Sequence, residues 1–130
     1  MSGWDAYSEN IKSCGFVCGG IYDYAGNPWT QFCSDPSLQF DGKYVPKILK
    51  LLKEGAGCGE TVFANDQKQQ VIICDDSTGT LAGKHGNNSS LVAMRCKQCV
   101  IIGVGGEQSE PRALLGKLAG IAEYVSNSGY

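Results

Sequence analysis

Residues 70–105 read QVIICDDSTGTLAGKHGNNSSLVAMRCKQCVIIGVG, and this stretch decides the fold. Four β-prone runs, QVIICDD, TLAGKH, LVAMRC and CVIIGVG, are separated by clusters of turn-forming residues, Asp75-Asp76-Ser77-Thr78-Gly79 and Gly86-Asn87-Asn88-Ser89. Connections this short join antiparallel neighbours, whereas a parallel crossover needs about a dozen residues or more. The stretch is an antiparallel meander. ETVFAN, followed by the turn pair Asn65-Asp66, adds a strand before it.

Outward on the N-terminal side, a glycine-rich link over 55–59 precedes FDGKYVPKILKLLKEG, in which Tyr44, Val45, Ile48, Leu49, Leu51 and Leu52 recur at helical spacing. Pro46 fits only the first turn of such a helix, and Gly55 stops it. Further upstream, a β-rich run from Phe16 to Tyr24 meets the turn signal Ala25-Gly26-Asn27-Pro28, and a second strand starts at Trp29, which reads as a hairpin. The first ten residues predict a short helix to about Lys12, with Ser2 as cap, Asp5 in capping-box spacing, and Trp4, Tyr7 and Ile11 on one stripe. On the C-terminal side, SEPRALLGKLAGIAEYVSNSGY predicts a helix with Ser109 as cap, Pro111 in the first turn, and Leu114, Leu118, Ile121 and Val125 as its apolar face. Helices at both ends and one between two β blocks make an α+β fold around a central antiparallel sheet.

The chain has 130 residues and a net charge of −2, so one compact domain over 1–130 is expected. Its eleven Lys and Arg are scattered, which argues against a nucleic-acid footprint. No apolar run reaches the ~20 residues that cross a bilayer, and the start lacks the layout of a secretory signal, so the expected location is the cytosol. Seven cysteines in such a setting read as reduced packing residues.

Cys96-Lys97-Gln98-Cys99 is the sharpest chemical pattern, since C-x-x-C serves as a redox couple or as half of a zinc site. It joins two β runs rather than a strand and a helix, and reads as a tight hairpin with Lys97 and Gln98 at the tip. A thiol-redox or zinc-binding small protein is the alternative that it leaves open. His85, the one histidine, has no catalytic partner pattern and reads as a solvated turn residue. The glycines of IIGVGGEQSEP match neither phosphate-loop motif. No catalytic residue, metal site or cofactor is expected.

Trp4, Tyr7, Trp29, Tyr124 and Tyr130 remain. The apolar stripe of the last helix is complete without Tyr124, and Tyr130 is the final residue. If the terminal helices lie side by side on one sheet face, these rings meet next to Trp29. Flat rings with polar tips are a platform for an extended proline-rich peptide, whose stiff helix loses little entropy on docking.

MSGWDAY, AGNPWT, GKH followed by RCKQCVIIG, and IAEYVSNSGY together resemble the profilin family, over essentially the whole chain. The resemblance implies terminal helices packed together on one face of the sheet and a further helix on the other. It also implies a proline-rich-ligand site at Trp4, Tyr7, Trp29, Tyr124 and Tyr130. It further implies monomeric actin as a partner, bound by the later strands and the outer side of the last helix, at the positions of Ile73, Lys84, Arg112, Gly116 and Gly120. Ile73 stands where many members carry a basic residue, and the two glycines where animal members tend to place Lys and Glu. The expected partners are thus actin, formins and other proline-rich elongation factors, with phosphoinositide lipids as a further family ligand. The expected role is that of a non-enzymatic cytoskeletal regulator delivering actin to filament assembly factors. A profilin-like module without actin binding is the second alternative.

Overall fold

The computed structural model describes residues 4–35, 38–54, 61–64, 67–86, 88–107 and 109–130. Among them are three α-helices, α1 (Asp5–Ser13), α2 (Val45–Glu54) and α3 (Pro111–Asn127), and seven strands. The strands are β1 (Cys18–Asp23), β2 (Pro28–Cys33), β3 (Thr61–Ala64), β4 (Gln67–Asp75), β5 (Thr80–His85), β6 (Ser89–Arg95) and β7 (Cys99–Gly105). They form one antiparallel sheet in the order β2-β1-β7-β6-β5-β4-β3, so the meander predicted from 70–105 is its spine.

β7 is buried along its whole length, which is why CVIIGVG is continuously apolar rather than alternating. Its side chains go alternately to two cores. Val100, Ile102 and Val104 join Leu91, Ala93 and Tyr22 under α2, whose Val45, Ile48, Leu51 and Leu52 face them. Ile101 joins Ile21, Val92 and Ala82 on the other face, under α1 and α3. Removing such a side chain from water stabilises the fold by roughly 1.5–3 kcal/mol each. The two terminal helices therefore share one face, and α2 covers the opposite one.

The hairpin β1-β2 turns where Ala25-Gly26-Asn27-Pro28 predicts it. The Asp23 carboxylate accepts the N–H groups of Ala25 at 3.0 Å and Asn27 at 2.9 Å. Gly26 has φ +96°, and a Cβ there would lie 2.1 Å from the Gly42 carbonyl oxygen, so only glycine fits. That contact fixes the hairpin against a single 3₁₀ turn, Gly42–Tyr44, whose Lys43 N–H is capped by Asp41. Tyr44 is thus in the 3₁₀ turn, and α2 starts at Val45 with Pro46 in its first turn.

Several expectations are corrected. Trp4, not Ser2, sits at the N-cap of α1 and makes no side-chain cap; Ser2 and the Asp5 side chain lie outside the described residues. The N-cap of α3 is Glu110, again without a side-chain bond, because the Ser109 hydroxyl donates to Gly106 O at 2.6 Å instead. The buried stripe of α3 runs Leu114, Leu118, Ala122, Val125; Ile121 is only half-buried, turned toward α1. His85 is the last residue of β5, half-buried, with Nδ1 2.7 Å from Lys68 O, so it is not a solvated turn residue. The glycine-rich link, the Gly55 stop, the Asn65-Asp66 turn, Asn87 and Cys58 lie outside the described residues.

Two glycines separate packing from helix propensity. A Cβ at Gly103 would lie 2.6 Å from the buried ring of Phe16, so Gly103→Ala should lower stability by about 1–3 kcal/mol in urea unfolding. A Cβ at Gly116, in mid-α3, would meet nothing, so Gly116→Ala should raise it by about 0.5–1 kcal/mol.

Candidate functional site

The site starts with how α1 is held. Ile11 is fully buried in the core beneath it, and the Ser8 hydroxyl meets the Thr30 hydroxyl of β2 at 2.5 Å in a buried contact. At its far end, Lys117 Nζ of α3 donates to Cys14 O at 3.2 Å. These three ties set α1 beside α3 and across β2, and Trp4 consequently comes to rest over Trp29.

The five aromatic residues named from the sequence form one connected set. The Trp4 ring centroid is 4.8 Å from Trp29, 4.9 Å from Tyr130 and 5.2 Å from Tyr7. Tyr7 lies 5.9 Å from Tyr124, and Trp29 lies 6.0 Å from Tyr130. Three of these pairs are tilted, and the two made by Tyr130 are edge-on, an arrangement that ring quadrupoles favour. Trp4, Tyr7 and Trp29 are half-buried, whereas Tyr124 and Tyr130 are 65% and 40% exposed. The set therefore stands on the outside of the core rather than in it. Trp4, Trp29, Gln98 and Tyr130 line a recess of about 370 Å³. A second recess, about 350 Å³, lies between the helices and is lined by Tyr7, Gly120, Ile121 and Tyr124.

Gln98 belongs to this site and was not expected there. Its backbone N–H donates to Tyr130 O, and its Nε2 donates to Gly129 O at 2.9 Å. The tip of the C-x-x-C hairpin thus holds the C-terminal residue, and with it one wall of the recess. The hairpin itself is as tight as the sequence suggests, with Cys96 N–H donating to Cys99 O at 2.7 Å. Both thiols are buried, Cys99 Sγ donating to Tyr130 O and Cys96 Sγ to Ala122 O, each at 3.7 Å. A hydrogen bond from Cys99, aided by Ser126, holds the Cys96 thiol down to about 7, and the same contact together with burial pushes Cys99 up.

The second group of positions lies along a different flank. Lys84 of β5 reaches Glu110, at the start of α3, with an N···O distance of 3.7 Å. Arg112 and Gly116 are exposed on the outer side of α3, whereas Gly120, also exposed, borders the recess beside Tyr7 and Tyr124 rather than that flank. Ile73 of β4 is half-buried against the core under the terminal helices. The apolar residue that faces solvent is its neighbour Ile72, 45% exposed at a register shift between Val71 and Ile73. Two consecutive isoleucines give no sign of which one a bulge will turn outward. Arg95 is engaged by Asp76 at 2.7 Å.

Among the described residues no helix is long and apolar enough to cross a membrane, and no group of three or more His, Cys, Asp or Glu gathers as a metal site. Comparison with curated proteins gives no match. Among solved structures the chain is similar to Acanthamoeba castellanii profilin II, at TM-score 0.81 and 17% identity over 98% of this chain and 100% of that one. It is also similar to mouse profilin IIa in complex with a double repeat from the FH1 domain of mDia1, at TM-score 0.75 and 18% identity over 99% and 100%. A third is LokiProfilin2 in complex with rabbit actin, at TM-score 0.74 and 16% identity over 98% of each chain. These likenesses show a common fold. The sequence model of the profilin family matches residues 2–130, and the chain belongs to that family.

Proposed function

We propose that the protein is a non-enzymatic cytoskeletal adaptor that holds monomeric actin on one surface and proline-rich segments of filament assembly factors on another. The observation that carries this reading is the continuous surface set of five rings, built from both chain ends and β2. A proline-rich helix presents pyrrolidine rings and backbone carbonyls that have no local N–H partner. Ring faces of Trp4, Trp29 and Tyr130 suit the former, and indole N–H and phenol O–H groups suit the latter. The groove is formed before ligand arrives, because the rings already support one another. Little ordering is then required on binding.

Kinship supports the actin half, since one relative of the same fold is described in complex with actin and another with an FH1 double repeat. On this chain the corresponding surface is the flank of β4, β5 and α3, which carries Ile72, Lys84 and Arg112. It shares α3 with the groove but uses another side of that helix. The two ligands can therefore be held together, which is what delivery of actin to a growing end requires.

Each half has its own test. Tyr124→Ala and deletion of Tyr130 should each weaken a polyproline peptide about 3- to 10-fold in a tryptophan-fluorescence titration, consistent with the loss of one ring contact. Tyr124→Ala, at an exposed position, should leave thermal stability nearly unchanged. Unchanged peptide affinity in both variants would refute the groove. In pyrene-actin assembly the wild-type protein should slow spontaneous nucleation, and Arg112→Glu should weaken that effect several-fold while sparing the peptide. A wild-type protein without effect on actin would leave the proline-rich half standing and mark a module that has lost actin.

A further inference from the structure

The geometry points to a reversible oxidation site at Cys18 and Cys33, where a hydroperoxide converts two facing thiols into an intramolecular disulfide across β1 and β2. The two residues are register partners in the hairpin. Ser34 N–H donates to Val17 O at 2.7 Å just beyond them, which makes Cys18 and Cys33 a non-hydrogen-bonded pair. Such pairs bring Cα atoms to about 4.5 Å, inside the ~4.4–6.8 Å span that disulfides occupy. The two Sγ atoms are already 2.7 Å apart, and both thiols reach Asp35 O at 3.2 Å. No shift of backbone is needed to join them.

The two thiols also differ in access, which sets the order in which they react. Cys18 is 1% exposed, whereas Cys33 is exposed on the outermost strand, open to a solvent oxidant. Burial, with the Cys33 thiol beside it, pushes the Cys18 thiol up to about 12, so Cys18 waits in its protonated form. The thiolate of Cys33 attacks the peroxide oxygen, forming a sulfenic acid and releasing the alcohol or water. Cys18 Sγ then attacks that sulfur, and its proton leaves with the hydroxyl as water. A dithiol reductant returns two electrons and restores both thiols. Packing cysteines would not explain the pair, because packing calls for two buried sulfurs and Cys33 is not buried.

The link closes a loop with a sequence separation of 15 and ties the edge strand that carries Trp29 to the interior of the sheet. The inference is independent of what the aromatic groove binds. The test treats the full chain with a small excess of hydrogen peroxide, alkylates it in denaturant and maps the peptides by mass. The expected product is the Cys18 peptide joined to the Cys33 peptide, two hydrogens lighter, reversed by dithiothreitol, and melting roughly 3–8 °C higher than the reduced protein. In Cys18→Ser the reaction should stop at a Cys33 sulfenic acid that dimedone traps. Cys33→Ser, at an exposed position, should keep the circular dichroism spectrum of the wild type and leave Cys18 fully alkylated. Recovery of both wild-type cysteines as free thiols, or of Cys33 joined to a second chain with Cys18 free, would overturn the assignment.

Discussion

A helix of nine residues without a side-chain cap has almost no stability of its own in water, and α1 is such a helix. It exists because the sheet accepts it: Ile11 below, the Ser8–Thr30 hydroxyl contact toward β2, and Lys117 reaching over from α3. Four of the five ring distances in the groove involve Trp4 or Tyr7 and so depend on that docking. Trp4 and Tyr7 ride on α1, Tyr124 and Tyr130 follow from α3, and Trp29 belongs to the strand on which α1 rests. The ring cluster is a by-product of how two helices divide one sheet face.

The same division separates the two proposed surfaces. The inner stripe of α3, Leu114, Leu118, Ala122 and Val125, is committed to the core. What remains is a side turned to α1, with Gly120, Ile121 and Tyr124, and an outer side with Arg112 and Gly116. One helix thereby serves as the wall between them. The α2 face of the sheet contributes to neither surface, which leaves its large apolar residues free to do nothing but stabilise β7 and its neighbours.

The strands were legible because turn clusters punctuate them, and the terminal rings were legible because α3 already had a full stripe without Tyr124. Less legible was anything decided by contact at long sequence separation. Ser109 looks like a cap but its hydroxyl finds Gly106 first, and Glu110 takes the cap position with no side-chain bond. Ala122 replaces Ile121 in the stripe because α1 offers Ile121 a second apolar neighbourhood, a fact absent from the periodicity of α3 alone. Gln98 gives no local signal whatever: its role rests on backbone oxygens 31 and 32 positions further along the chain. The outward turn of Ile72 follows from a register shift between β4 and β5, which no run of apolar letters announces.

Both indoles of the chain, Trp4 and Trp29, stand at the groove and neither is sealed inside the protein. Bringing Trp4 to Tyr130 closes a loop almost as long as the polypeptide, and closing it rewards the chain only after the sheet between has formed. Intrinsic emission consequently watches the last contacts to assemble rather than the hydrophobic collapse. During refolding it should trail the far-ultraviolet dichroism of the strands, and during gentle heating it should change first, as the two chain ends part.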